Sequence, residues 1–303
     1  MTGRTAEAAA LTFGAMALFG LIDNFMGRLA ETAGLWQFQA TRTAIALLVL
    51  VPLALALGWR LRPRRPRAVM LRSLVSSVGM VIYFGCLGLM PIAQVAAGFF
   101  TAPLFVVLYA SLWGERVGAR RLLAVALGFL GVVLALGLRP GEVTALALLP
   151  VLAGALYGLG SLLTQRLCAR EPTGAVLLAF FGFMGAWGVL GLLALGAWGP
   201  EAPPGGDGFI LRGWVSPDAT FWAVTGAQAL VSLLGLGMVI RAYQIAEATR
   251  VAVFENALLV SATLWAVVLW GEVPGAVEWA GLALVTLAGA LAVGERREGE
   301  APA

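Results

Sequence analysis

The sequence predicts an all-helical polytopic membrane protein of ten transmembrane helices, arranged as two five-helix repeats that enter the membrane from opposite sides. Three observations carry this prediction. The 303 residues are 60% hydrophobic and 12% charged, with a mean hydropathy of +0.91, whereas soluble domains carry roughly a quarter charged residues. Apolar stretches of about 20 residues, the length that crosses a bilayer, recur ten times. Two sequence blocks also return in order. Ala17-Leu18-Phe19-Gly20-Leu21 reappears as Ala155-Leu156-Tyr157-Gly158-Leu159, a match running on from Arg28-Leu29 to Arg166-Leu167, and Trp113-Gly114-Glu115 reappears as Trp270-Gly271-Glu272. Internal duplication of apolar halves is a mark of membrane carriers built from repeats.

The ten spans fall near residues 8–29, 35–58, 70–90, 92–113, 121–138, 146–166, 174–198, 219–241, 246–270 and 275–294. Some turns are short and apolar themselves, notably Leu89-Met90-Pro91 and Gly271 to Gly275. The first block repeats at an offset of 138 residues and the second at 157, so 19 residues are added in between. The Gly/Pro-rich stretch from Pro200 to Pro217 takes up the difference, and its shorter counterpart runs from Trp59 to Val69. The repeats therefore cover 1–138 and 139–303, the second containing an external loop at 199–218. Five spans per repeat is an odd number, which inverts the second repeat relative to the first.

Orientation follows from arginine, because short cytoplasmic loops hold the excess of positive charge. All 20 basic residues are Arg. With the N-terminus inside, sixteen lie on the inner side: Arg4, the cluster Arg60, Arg62, Arg64, Arg65, Arg67 and Arg72, then Arg116, Arg120, Arg121, Arg166, Arg170, Arg241, Arg250, Arg296 and Arg297. Arg28, Arg139 and Arg212 face outward and Arg42 is within a span. Both termini are expected in the cytoplasm of a bacterial-type inner membrane. The basic cluster then reads as a topology signal near anionic lipid, not as a nucleic-acid site.

Composition excludes several chemistries. There is no His, hence no His metal site, Ser/His triad or His relay. Lys is also absent, so a phosphate-binding Gly-x4-Gly-Lys-Ser/Thr loop cannot form. No metal or cofactor is expected. Cys86 and Cys168 stand alone without paired spacing and read as small apolar residues. The first span is followed at once by another, unlike a cleaved signal peptide.

Ionisable groups at membrane depth cost about 2.5 to 3.5 kcal/mol each on insertion scales, so they face a cavity or a partner. Glu255, nine residues into the ninth span and followed by Asn256, is the leading candidate, as a proton-coupling group or as counter-charge for a cationic substrate. Its structural alternative is a partner for Arg241 or Arg250. Asp23, beside Asn24, and Arg42 lie equally far from the turn between the first two spans, which places them at one depth and within reach of an ion pair. Their counterparts at offset 138, Ser161 and Phe180, are both uncharged. Pro103 in mid-span deprives the Phe99 carbonyl of its helical donor, and broken helices at this depth often line sites. Its alternatives are a packing kink or an inserted Thr101 side chain. Trp265 sits deep enough to stack on a substrate, whereas Trp36, Trp59, Trp198 and Trp222 mark span ends.

Glu115 and Glu272 repeat but end helices, where the dipole disfavours carboxylates. A compensating arginine such as Arg116 or Arg120 is the structural expectation for Glu115. Gly182, Gly185, Gly188 and Gly191 in the seventh span, and Gly154 with Gly158 in the sixth, allow close helix approach without any ligand.

Taken together, ten spans, inverted repeats and Gly-Glu closing the fourth span of each half resemble the EamA family of the drug/metabolite transporter superfamily. Ala96-Ala97-Gly98, Pro103 and Gly114-Glu115-Arg116 are similar to the family's fourth helix. Phe254-Glu255, Trp265 and Gly271-Glu272-Val273-Pro274 are similar to a ninth-helix pattern of members that take up S-adenosylmethionine or riboflavin, with Val253 and Asn256 where that pattern has Pro and Tyr. The resemblance implies a secondary transporter of a small organic metabolite, amino-acid-like, cationic or aromatic, working by alternating access; a vitamin carrier for riboflavin is the alternative. It also implies a cavity lined by the third, fourth, sixth and eighth helices, where Tyr83, Gln94, Tyr157, Gln228 and Ser232 supply polar edges. A homodimer is compatible with this family. Two other classes stand against this reading: an intramembrane enzyme, for which Gly206-Asp207-Gly208 resembles an aspartyl-protease motif but lies in a loop, and a passive channel.

Overall fold

A computed structural model describes residues 3–87, 89–90, 92–115, 117–136, 146, 148–199 and 201–293. Arg116, Arg139, Arg296, Arg297, Pro91 and the boundary at 138/139 lie outside the described residues. Helices α1 (Gly3–Asp23), α3 (Leu35–Ala56), α4 (Pro66–Cys86), α7 (Ala119–Ala135), α8 (Leu148–Leu167), α9 (Thr173–Trp198), α10 (Ala219–Ile245) and α13 (Ala276–Val293) each form one span. The fourth span is divided into α5 (Ile92–Phe99) and α6 (Ala102–Leu112), and the ninth into α11 (Ala248–Glu255) and α12 (Ala257–Trp270). A short α2 (Met26–Thr32) follows the first span, which begins and ends earlier than expected. Eight segments are long and apolar enough to cross a membrane by length and composition, and the fifth and tenth spans are shorter apolar helices. Among the described residues these helices make ten spans of a multi-pass membrane protein.

The packing of the spans is preserved when each is exchanged with the one five places on. Span 1 packs on span 8 as span 6 packs on span 3, and span 1 on span 9 as span 6 on the divided span 4. Span 3 packs on span 7 as span 8 on span 2, while spans 2 and 7, and spans 5 and 10, pair with each other. This is the pattern of two interlocked, inverted repeats.

Residue types explain the elements. Pro66 occupies the first turn of α4, where its missing N–H costs nothing. Asp218 caps α10 by accepting from the backbone N–H of Phe221 at 2.7 Å. The repeated Trp-Gly-Glu has a backbone cause: Gly114 ends α6 with φ +83° and Gly271 ends α12 with φ +71°, conformations that only Gly adopts cheaply. Close helix approach is equally direct. A Cβ on Gly154 would meet the Phe99 carbonyl at 2.7 Å and one on Gly158 the Ala102 carbonyl at 2.9 Å, so α8 presses on the break of the fourth span. Gly185, Gly188 and Gly191 pack on Thr43, Ala40 and Trp36 of α3, whereas Gly182 has open space beside it. Cys86 and Cys168 are buried and unpaired.

The loop between α9 and α10 folds back as a lid on the first two spans. Phe209 is fully buried among Met26, Leu29, Leu35, Phe38 and Phe84. Arg212 donates to the carbonyls of Ala30 and Ala33 at 2.9 and 2.8 Å, and the Trp36 indole N–H to that of Ile210 at 3.0 Å. Gln37 exchanges two hydrogen bonds with the backbone of Val215. Asp207 sits in a single 3-10 turn, Gly205–Gly208, of this loop, away from the helical core. Truncating Phe209 to Ala removes a fully buried ring and should destabilise the folded loop by about 3 kcal/mol. Thermal unfolding in detergent tests this, and an unchanged midpoint would refute the role given to the ring.

Candidate functional site

The two helix breaks meet a central cavity. Its volume is about 110 Å³, and among the described residues its walls come from spans 1 to 4 and 6 to 9. Asp23, Arg42, Tyr83, Pro103, Tyr157, Gln228, Ser232, Glu255 and Asn256 all line it. These residues are spread over more than 230 positions of sequence, and the inverted packing brings them together.

Glu255 ends α11, where the ninth span breaks. Its Oε1 accepts from the Tyr157 hydroxyl and its Oε2 from the Tyr243 hydroxyl, each at 2.7 Å. Arg250, the structural partner considered for it, pairs instead with Glu247 at 3.2 Å. The carboxylate is thus held by two hydroxyl donors and stays at the cavity wall, with no ion pair to it among the described residues. Asn256 follows, 2% exposed, and its side-chain oxygen has no hydrogen-bond partner.

The expected Asp23–Arg42 ion pair does not form. Asp23 accepts from the Gln228 amide at 3.2 Å, and Ser232 donates to the Gln228 oxygen at 2.9 Å. Arg42, 3% exposed, has its guanidinium carbon 5.2 Å from the ring centres of both Phe38 and Phe84. The two aromatic faces hold the cation by their quadrupoles, and its Nε has no hydrogen-bond partner. Equal depth was legible from spacing, but direction was not: the amide of Gln228 takes the place the arginine would need.

Between these ends runs an aromatic wall. Tyr157, Phe99, Tyr83 and Phe84 follow one another with ring centres 5.1, 4.6 and 5.4 Å apart, and Phe38 lies 5.9 Å from Phe84. The break in the fourth span places Phe99 in this run. Pro103 lies in the first turn of α6, Thr101 donates to the Gly98 carbonyl at 2.6 Å, and the Phe99 carbonyl rests against Gly154. A carboxylate, a cation with its aromatic cradle, a carboxylate–amide–hydroxyl chain and a flat apolar wall can together hold a planar molecule with polar ends.

Three expected residues lie elsewhere. Trp265 lines a separate, open apolar groove between spans 1, 9 and 10, with Phe13 and Leu264. It is nine residues beyond Asn256, about two and a half turns, which carries it to the opposite face of the helix. Asn24 bonds the carbonyls of Gly20 and Ala262 at 2.7 and 3.2 Å and fastens span 1 to span 9. Gln94 is absent from the cavity wall. Two further expectations concern arginines. Glu115 is paired by Arg166 of α8, across the helices. Arg72 is not in a loop but buried in α4, where its Nε donates to Thr164 at 2.8 Å.

Sequence reading missed Tyr243, Phe99, Phe84 and Phe38. Each is an apolar or aromatic residue among many in a hydrophobic chain, and only Phe99, two residues before the Thr101-Ala102-Pro103 break, carried a local signal.

Comparison with known proteins agrees with this architecture. Residues 7–137 match the EamA-like transporter family. The chain is 28% identical over 258 residues to a riboflavin transporter of Rhizobium johnstonii, covering 84% of this chain and 78% of that protein. It is 27% identical to a riboflavin transporter of Brucella anthropi, covering 82% and 83%, and 26% identical to a pseudopaline exporter of Pseudomonas aeruginosa, covering 89% and 90%. A solved crystal structure aligns with a TM-score of 0.77 at 22% identity over 95% of this chain and 96% of that one, a likeness of fold. The chain thus resembles the EamA-like transporter family of the drug/metabolite transporter superfamily over residues 7–137, and the relatives to which it is similar are named as carriers of small metabolites.

Proposed function

We propose that this protein is a secondary transporter for a planar, polar-edged aromatic metabolite of the flavin class, bound in the central cavity and moved by alternating access of the repeats 1–138 and 139–303. The observation that carries the reading is the aromatic run from Tyr157 to Phe84, with Glu255 at one end and Arg42 at the other. Flat rings stack on such a wall, and the polar ends fix orientation. The riboflavin transporters among the relatives support the same class.

The cavity as it stands is closed down. Its 110 Å³ is well below the roughly 300 Å³ at which small-molecule pockets begin, so substrate enters only when the helices part. At one end the loop around Phe209 covers spans 1 and 2. At the other, Arg121 of α7 and Arg250 hold Glu247 at 2.6 and 3.2 Å, and Arg166 holds Glu115. Opening one set while the other stays closed is the motion expected of inverted repeats. The arginine excess supports an inner-membrane orientation with the Glu247 end and both termini cytoplasmic.

A second reading has its own support. Among the described residues Glu255 has no ion-pair partner, which suits a cationic, amino-acid-like substrate of the S-adenosylmethionine kind, or a proton that couples transport to a gradient. Uptake into liposomes of labelled riboflavin, S-adenosylmethionine and amino acids, with and without a pH gradient, separates the readings. Saturable riboflavin uptake is the expected result. Saturable uptake only of the cationic compounds would replace the flavin reading, and no saturable uptake of any would overturn both.

A further inference from the structure

A second cavity, of about 640 Å³, opens between spans 1, 2, 7 and 8 at the end opposite the loop between α9 and α10. It shares no residue with the central cavity, because α10 turns Gln228, Ser232 and Leu236 toward the centre and Leu234, Gly237 and Arg241 toward this groove. Its depth is aliphatic, formed by Leu53, Leu177, Leu234 and Gly237. Leu53 is 41% and Leu234 60% exposed, so the groove is open sideways, to where lipid chains run.

The mouth of the groove is strongly basic. Arg60, Arg64, Arg170 and Arg241 line it, and all four are exposed. Elsewhere in the protein arginines near acids are paired, as Arg121 and Arg250 are with Glu247 and Arg166 is with Glu115. Here, among the described residues, none of the four guanidinium groups has a hydrogen-bond or ion-pair partner. The acid at the mouth, Glu171, is 6% exposed and already engaged: its Oε2 and Oε1 accept the backbone N–H groups of Arg64 and Arg65 at 2.7 and 3.0 Å. Four cations therefore face one carboxylate that is turned inward. Trp59, half exposed beside them, marks the level where headgroups meet chains.

We infer that this groove binds an anionic phospholipid, its phosphate held by Arg60, Arg64, Arg170 and Arg241 and one acyl chain laid along Leu53, Leu177 and Leu234. Guanidinium forks match phosphate oxygens, and basic pockets between helices near the membrane surface select anionic headgroups. A free anion would satisfy the arginines but leave the aliphatic depth unused, and a neutral lipid would do the reverse. The groove lies where spans 2, 7 and 8 meet, which belong to different repeats. A lipid seated there braces the two halves against each other and biases their relative movement.

The test is thermal unfolding of the purified full-length protein in a neutral detergent, titrated with phosphatidylglycerol, phosphatidylcholine or inorganic phosphate. Two variants accompany it. Arg170→Gln with Arg241→Gln halves the charge at the mouth. Gly237→Leu fills the depth without touching any charge, and it is tolerable because an added Cβ meets only Leu177 Cδ1, at 3.5 Å. Phosphatidylglycerol should stabilise the wild type saturably, with apparent affinity about tenfold lower in the double variant and the effect lost in Gly237→Leu. Equal stabilisation by phosphatidylcholine, the same shift from inorganic phosphate alone, or wild-type phosphatidylglycerol affinity in Gly237→Leu would overturn the inference.

Discussion

Glu255→Gln is expected to fold and insert normally but to lose substrate transport, with kcat/KM lower by about tenfold to a hundredfold if one charge-assisted hydrogen bond is forfeited. The amide keeps the shape of the carboxylate, and its oxygen still accepts from one of the two hydroxyls, Tyr157 or Tyr243, that Glu255 engages at 2.7 Å. What disappears is the negative charge at the break of the ninth span and the ability to carry a proton there. The pH dependence then distinguishes the two roles. If Glu255 carries the coupling proton, the residual transport of the variant no longer responds to an imposed pH gradient; if it is a counter-charge, the loss is confined to cationic substrates. Liposome uptake with thermal unfolding as the control for folding reads both. A variant that transports every substrate at the wild-type rate would make Glu255 a structural acceptor for two tyrosines.

Arg42→Leu is expected to separate function from stability. The guanidinium is 3% exposed and forms no ion pair within 4.0 Å, Asp23 being taken by Gln228. Keeping an unpaired cation buried costs free energy, offset here only in part by the rings of Phe38 and Phe84. Replacing it with an apolar side chain should leave the protein as stable as the wild type or about 1 kcal/mol more so, while transport falls to background. Arg42→Lys keeps the charge but not the flat face that lies along the rings, so it should raise KM several-fold and retain some transport. A destabilised Arg42→Leu protein with normal transport per folded molecule would show that the arginine serves the fold alone.

Much of the architecture was legible because it is written redundantly. Ten apolar stretches and two blocks repeated in order give the same count of spans. The repeated Trp-Gly-Glu proved to be a backbone device, with Gly114 and Gly271 both at positive φ where their helices end. Polar residues of the candidate site stood out for the same reason, since Asp23, Arg42, Gln228 and Glu255 are rare at membrane depth. What stayed hidden was direction around each helix. Depth can be counted from a span's end, but the helix break at Asn256 resets the phase, and Trp265 consequently turns outward toward Phe13 and Leu264. Interhelical choice was equally closed. Nothing local marks Arg166 as a partner of Glu115, or Tyr243 as a donor to Glu255. The aromatic wall is assembled from four helices, and no single stretch of sequence contains more than two adjacent members of it.

The central claim is that one substrate at a time occupies the cavity between Glu255 and Arg42 and is exposed alternately to the two sides. Counterflow in liposomes tests it most directly. Vesicles loaded with unlabelled riboflavin and diluted into labelled riboflavin should accumulate label transiently above equilibrium, because a carrier returning with internal substrate reopens faster than an empty one. The overshoot should saturate with external substrate. Entry of label that is linear in concentration and indifferent to internal substrate would contradict the account and identify a pore instead.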